Sequence, residues 1–158
     1  MNSLGRTHPP MASTPGSKLR NWDSIPKQTI FSENGKVGDC WRCCVAAVLG
    51  LPSRDVPHFM ADSGGRYDPF GECRTQDWLA LRGYGIVGVA GRRSFVFHRT
   101  RDTPVPPLIS CGPTVRSSRM GQNHAVVTNG DELLYDPHPS NAGLTAIVEQ
   151  FLIFRHLE

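Results

Sequence analysis

Apolar residues crowd the stretch 40–49, where Cys44, Val45, Ala47, Val48 and Leu49 cover nearly every side of a helical wheel. A helix apolar almost all round is a buried one. Its ends are marked as well: Asp39 can cap the start, Gly50 supplies a stop and Pro52 prevents continuation. Ser53 can cap a short helical turn leading into Val56-Pro57-His58-Phe59. Residues 62–72 read as loop, and a second helix is expected over 75–82, capped by Thr75, closed by Gly83, with Trp78, Leu79 and Leu81 facing inward. From Gly85 onward the period changes. Short β-type runs bounded by turns fall at 86–90, 95–98, 108–111, 125–128 and 133–135. Asn129-Gly130 is a hairpin signal joining the last two, and a further strand is expected near 151–154. Helices first and an antiparallel sheet afterwards make an α+β plan.

The segment before this pattern has neither period. Residues 1–26 are rich in Pro, Gly, Ser and Thr and are expected to form a disordered tail, because they cannot offset their ordering entropy by burial. The domain is expected to occupy 27–158, opening on the short extended piece Gln28-Thr29-Ile30-Phe31. With 158 residues the chain fits a single domain large enough for a real core, and an apolar share of 39% is compatible with that.

Charge changes the picture little. The formal net charge of +3 is spread over both signs, with local basic clusters at Arg92–Arg93, Arg99–Arg101 and Arg116–Arg119. Solvated loops explain these clusters, and nucleic acid is not an expected partner. No run is long and apolar enough to span a membrane, since the best, 147–154, is interrupted by Glu149 and Gln150. The N-terminus has no apolar core of the signal-peptide kind. The five cysteines are an odd number, and Cys40, Cys43 and Cys44 crowd together, which suits reduced thiols in a cytoplasmic setting better than a disulfide framework.

The candidate chemistry starts at Cys40. It stands at the first turn of the buried helix, where unpaired backbone N–H groups and the helix dipole favour an anion, and the thiolate is the reactive form of cysteine. Gly38 lets the backbone approach closely and leaves room for a substrate carbonyl, whose oxyanion the Cys40 N–H can meet. A thiolate needs a base, and the base needs an orienter. His124 opens the run His-Ala-Val-Val; Asp136 ends the run Leu-Leu-Tyr-Asp beyond the Asn129-Gly130 turn. The 12-residue separation suits adjacent antiparallel strands that bring the two side chains together at one end of the ladder.

Gly38-Asp39-Cys40-Trp41, opening an Ala/Val/Cys-rich helix, resembles the Gly-x-Cys-Trp nucleophile segment of papain-like cysteine peptidases. The chain order Cys, then His before a short apolar strand, then Asn or Asp ending the next strand, is the order of that superfamily. The stretch from Gly38 through Phe59, with Asn-His-Ala-Val-Val and Tyr-Asp-Pro-His-Pro-Ser later, looks like a group of small papain-like domain proteins of phages and bacteria; the likeness covers residues 28–144. The resemblance implies a thiolate–imidazolium pair that attacks a carbonyl through a covalent thioester, without a cofactor. It implies an amide-containing substrate, peptide or protein, in the cytoplasm of a bacterial or phage-infected cell. It also implies an oxyanion-stabilising Gln half a dozen residues before the Cys. Asn34 occupies that spacing here, while Gln28 lies 12 residues upstream; Gln28 is favoured because it sits in the extended piece, with Asn34 as the alternative.

Other readings compete. Cys40-x-x-Cys43 has the spacing of a redox motif or half a zinc site, but no strand precedes it, and only Cys73 and Cys111 are left as further thiol ligands. Cys43 and Cys44 are read as core, and His138, in Asp-Pro-His-Pro, as a supporting residue at the cleft rim. Trp41 is expected to close one wall of the cleft, with core packing as the alternative. The glycine-containing loop 112–122 is expected to bring Arg116 and Arg119 to the substrate side, with a plain connector as the alternative. The expected activity is hydrolysis of an amide or isopeptide bond. The same site would serve an acyltransferase of the transglutaminase-like kind, and a non-catalytic binding or inhibitory module is the third reading.

Overall fold

The structure is a computed structural model that describes residues 20–32, 37–61, 72–90, 105–116, 123–130 and 132–157. The fold is α+β. Helix α1 (Cys40–Leu49) precedes α2 (Glu72–Ala80), followed by β1 (Tyr84–Ala90), β2 (Leu108–Gly112), β3 (His124–Asn129), β4 (Glu132–Tyr135) and β5 (Glu149–Arg155). The strands form one antiparallel sheet in the order β1-β5-β2-β3-β4. The C-terminal strand therefore inserts between β1 and β2. The expected strand at 95–98 lies outside the described residues.

Helix α1 lies against β3 and β2. Its apolar girdle behaves as the pattern predicts: Trp41, Cys43, Cys44, Val45, Ala46, Ala47 and Val48 are all buried. They meet Ile109, Cys111, Ala125, Val127, Tyr135 and Phe151 from the sheet in one core. Gly50 closes the helix, its N–H returning to the carbonyls of Ala46 and Ala47. On the sheet, buried polar residues satisfy one another. Ser110 Oγ and Thr128 Oγ1 lie 2.7 Å apart, and Gln150 Nε2 donates to Ser110 Oγ at 3.1 Å, which explains how β5 carries a buried Gln.

Several expectations are corrected. Thr75 does not cap α2; it lies inside the helix, fully buried, with its Oγ1 accepting the Trp41 indole N–H at 2.9 Å. Leu81, expected inward, is 85% exposed. It follows the last helical residue, where the chain turns away through Gly83, so the helical period no longer decides its direction. Asp39 takes the N-cap position of α1, its carbonyl accepting the Cys43 N–H at 3.0 Å, but its side chain makes no capping bond. Its carboxylate instead accepts the Ile30 N–H at 3.2 Å and pairs with Arg42.

Within the segment expected to be tail, the described end is structured. Residues 20–26 dock on the domain: Trp22 and Ile25 pack against the core, Arg20 donates to the Ala47 and Val48 carbonyls at the end of α1, and the Pro26 carbonyl accepts the Tyr135 hydroxyl at 2.7 Å. Two apolar side chains and helix-end carbonyls wanting donors outweigh a composition that otherwise reads as unstructured. Residues 1–19 lie outside the described part of the chain.

One glycine shows how tightly the site end of the sheet is built. A Cβ on Gly112 would lie 1.9 Å from the Ala146 carbonyl oxygen. The segment after β4 is pinned there by Thr145 N–H to Pro113 O (2.8 Å) and Val148 N–H to Cys111 O (2.9 Å). Gly112 pairs with His124 across the ladder, so this close crossing buttresses the strand end that carries the histidine.

Candidate active site

Three elements converge on one point. Cys40 opens α1, His124 opens β3, and Asp136 directly follows β4. His124 Nε2 lies 2.7 Å from Asp136 Oδ1, both residues buried. The Cys40 thiol stands close enough to the same ring to favour its charged form. With Nε2 taken by the carboxylate, Nδ1 is the nitrogen left for the thiol. The arrangement has the geometry of a thiol–imidazole–carboxylate triad, and it is assembled from the residues that the sequence pattern singles out.

Asp136 is held on every side. Besides His124, its Oδ1 accepts the His138 N–H at 2.8 Å, and its Oδ2 accepts the Gly143 N–H at 2.8 Å. Gly143 reaches it with φ of 64°, a left-handed conformation that glycine adopts without strain. Burial opposes the carboxylate charge, but the His124 bond and the two backbone donors outweigh it and hold the Asp136 pKa below its ordinary 3.8. For His124, burial disfavours the charged ring; the Asp136 and Cys40 bonds and the charges behind them prevail and push it up to about 9.

The remaining described thiols differ. Burial first, then the neighbouring Asp39 charge, pushes Cys43 up to about 12. Burial, with Cys40 next in importance, raises Cys44 and Cys111 well above the ordinary thiol range. These are inert core sulfurs. Among the described residues no three His, Cys, Asp or Glu side chains are grouped to hold a metal ion. The side chain of Cys73 is not described.

A cavity of about 260 Å³ opens beside Cys40 and His124, and Gln28, Gly38, Arg116 and His138 share its lining. Gln28 is not in a strand, contrary to expectation. The segment is laced down instead: Gln28 N–H donates to Pro137 O at 2.8 Å, Asp39 N–H to Ile30 O at 3.2 Å and Gly38 N–H to Ser32 Oγ at 2.9 Å. Residues 30 and 39 are thereby clamped together, which is why a Gln far upstream in sequence still reaches the cavity. Gln28 is buried, with Nε2 donating to Ile30 O at 2.9 Å and Oε1 without a partner among the described residues. Asn34 and Arg119 lie outside the described residues.

Trp41 is not a cleft wall. It is 1% exposed, bonded to Thr75 and edge-on to Phe151 at 5.0 Å. One residue along a helix turns the side chain by about 100°, so the neighbour of a residue facing the cleft faces the core. His138 is more central than the rim position expected of it. Continuing the β3–β4 register beyond Val127↔Tyr135 would set His138 opposite His124, and the two rings lie edge-to-face with centroids 6.4 Å apart. The Asn129-Gly130 turn alone does not give that register, because it shifts at a bulge between Val127 and Thr128.

Among the described residues no helix is long and apolar enough to cross a membrane. Compared with known proteins, the chain matches no family model, no curated protein and no solved structure, so its functional reading rests on its own residues and geometry.

Proposed function

We propose that this protein is a papain-like cysteine hydrolase that cleaves an amide or isopeptide bond through a thioester on Cys40. The observation that carries the reading is the buried His124–Asp136 bond with Cys40 beside the same ring in one cavity. A thiol at a helix start, a base and an orienting carboxylate are the parts that nucleophilic acyl chemistry requires.

The steps follow from those parts. The Cys40 thiolate attacks the carbonyl carbon, and the carbonyl electrons move to its oxygen. The oxyanion is met by the Cys40 N–H and by the second N–H of the Gln28 side-chain amide, whose first is spent on Ile30. The His124 imidazolium gives its Nδ1 proton to the leaving nitrogen as the C–N bond breaks. Water then attacks the thioester, the neutral imidazole takes its proton, and departure of sulfur releases the acid and restores the ion pair. Asp136 keeps the ring in the orientation that both steps need.

An active ester tests this without knowledge of the natural substrate. With p-nitrophenyl acetate, the expected result is a burst of about one nitrophenolate per protein, acetyl carried on Cys40 by mass spectrometry, and slow release in water. Cys40→Ser should abolish the burst. Acetylation spread over several residues, or a burst that survives Cys40→Ser, would refute the proposal.

A further inference from the structure

Among the described residues lining the cavity are one guanidinium and two imidazoles, and no carboxylate. The acids nearby are turned to other work. Asp136 lies behind His124, holding the ring and two backbone N–H groups, and Asp39 is buried against Arg42 and Ile30.

The cationic wall is built rather than incidental. Arg116 Nη1 donates to Ser140 Oγ at 2.8 Å. That oxygen also accepts the Ala142 N–H at 3.3 Å and lies 2.9 Å from His138 Nδ1. The Ser140 N–H donates to His138 Nδ1 at 3.1 Å. A nitrogen that accepts a backbone N–H carries a lone pair, so the neutral His138 ring bears its proton on Nε2. Phe31, edge-on at 5.4 Å, fixes the ring from one side and His124 from the other. The segment after β2 thus supplies a guanidinium, and the turn after β4 an imidazole N–H, to the cavity that holds the thiol.

A volume of about 260 Å³ is below the roughly 300–1,000 Å³ of pockets that enclose drug-sized ligands. A group held against Arg116 therefore sits close to the bond under attack. A guanidinium recognises a carboxylate through paired N–H donors, and His138 adds another.

We propose that the cavity wall formed by Arg116 and His138, tied together through Ser140, is a carboxylate subsite, and that the substrate bears a carboxylate adjacent to the bond that Cys40 attacks. This rests on the reading of Cys40 as the nucleophile. The carboxylate has two sources, a C-terminus next to the scissile bond or an acidic side chain beside it.

The test compares two alkylating reagents of nearly the same shape, iodoacetate and iodoacetamide, with Cys40 modification read by mass spectrometry. Both form an S–C bond and expel iodide, and only the first carries a carboxylate. The rate ratio of iodoacetate to iodoacetamide at Cys40 is expected to fall about fivefold or more in Arg116→Gln. Arg116→Lys should keep part of it, and added salt should lower it in wild-type protein. A ratio unaltered within about twofold by Arg116→Gln, with Cys40 still the fastest thiol, overturns the subsite and leaves the nucleophile standing. If neither reagent singles out Cys40, the nucleophile reading falls and takes the subsite with it. Protection of Cys40 from iodoacetamide by N-acetylalanine assigns the C-terminal source, and protection by N-acetylglutamate α-amide assigns the acidic side chain. Protection by neither overturns the proposal.

Discussion

Replacing His124 with Ala is expected to slow alkylation of Cys40 at neutral pH by about tenfold or more, the largest effect of any single change that leaves the thiol in place. The ring hydrogen-bonds Asp136 and stands beside Cys40, and these partners drive it up to about 9, which favours the cation beside the sulfur at pH 7. Removing it takes away both the partner charge and the proton carrier. The stability consequence has a definite sign. His124 has its folded pKa raised above the ordinary 6.5, so its contribution is full below about pH 6.5 and is lost as pH rises through about 9. The melting-temperature difference between wild type and His124→Ala should therefore narrow over that window. Asp136, with a depressed pKa, contributes above its ordinary 3.8 and loses that contribution as pH falls through its lowered value. A labelling rate unaffected by His124→Ala would remove the base from the account.

Asp136→Ala is expected to cost about tenfold in Cys40 labelling and several kcal/mol in stability, because three donors lose their acceptor at once. Two of these are backbone N–H groups, of His138 and Gly143, which hold the turn that follows β4. Asp136→Asn separates the roles. Its single carbonyl oxygen can keep His124 and the His138 N–H, but its NH₂ then confronts the Gly143 N–H, donor against donor. Labelling of Cys40 should stay within a fewfold of wild type while stability falls. If Asp136 served only the turn, labelling per folded molecule would stay at the wild-type rate even in Asp136→Ala. Folding and labelling measured on the same samples decide between the two.

The features legible in the sequence are those that local rules determine. The girdle of α1 is apolar because nearly every side of it is buried, and the β3–β4 hairpin, with its bulge between Val127 and Thr128, brings the ends carrying His124 and Asp136 together. Features that depend on distant contacts were not legible. Trp41 and Thr75 face each other across the core, and nothing near either residue announces that bond. Asp39 has the form of a helix cap, yet Ile30 and Arg42 compete for its carboxylate and win. Arg20 and Trp22 read as tail because their partners, the carbonyls ending α1 and the core beneath, come from far along the chain. Gln28 reaches the cavity through a clamp between Ile30 and Asp39, not through the strand that its neighbours suggest. His138 was visible as a residue but not as a cavity wall, since its ring is fixed by Ser140 and Phe31 rather than by strand pairing.

The central claim is that one thiol among five is activated. It is tested most directly by treating folded wild-type protein with less than one equivalent of iodoacetamide and quantifying modification at each cysteine by mass spectrometry. Burial holds Cys43, Cys44 and Cys111 in the unreactive thiol form, and Cys40 alone among the described cysteines lines the cavity, beside the His124 imidazole. Cys40 is expected to carry nearly all of the label, at a rate about tenfold or more above any other cysteine. Label shared evenly among the cysteines, or found first on Cys73 or Cys111, would contradict the account.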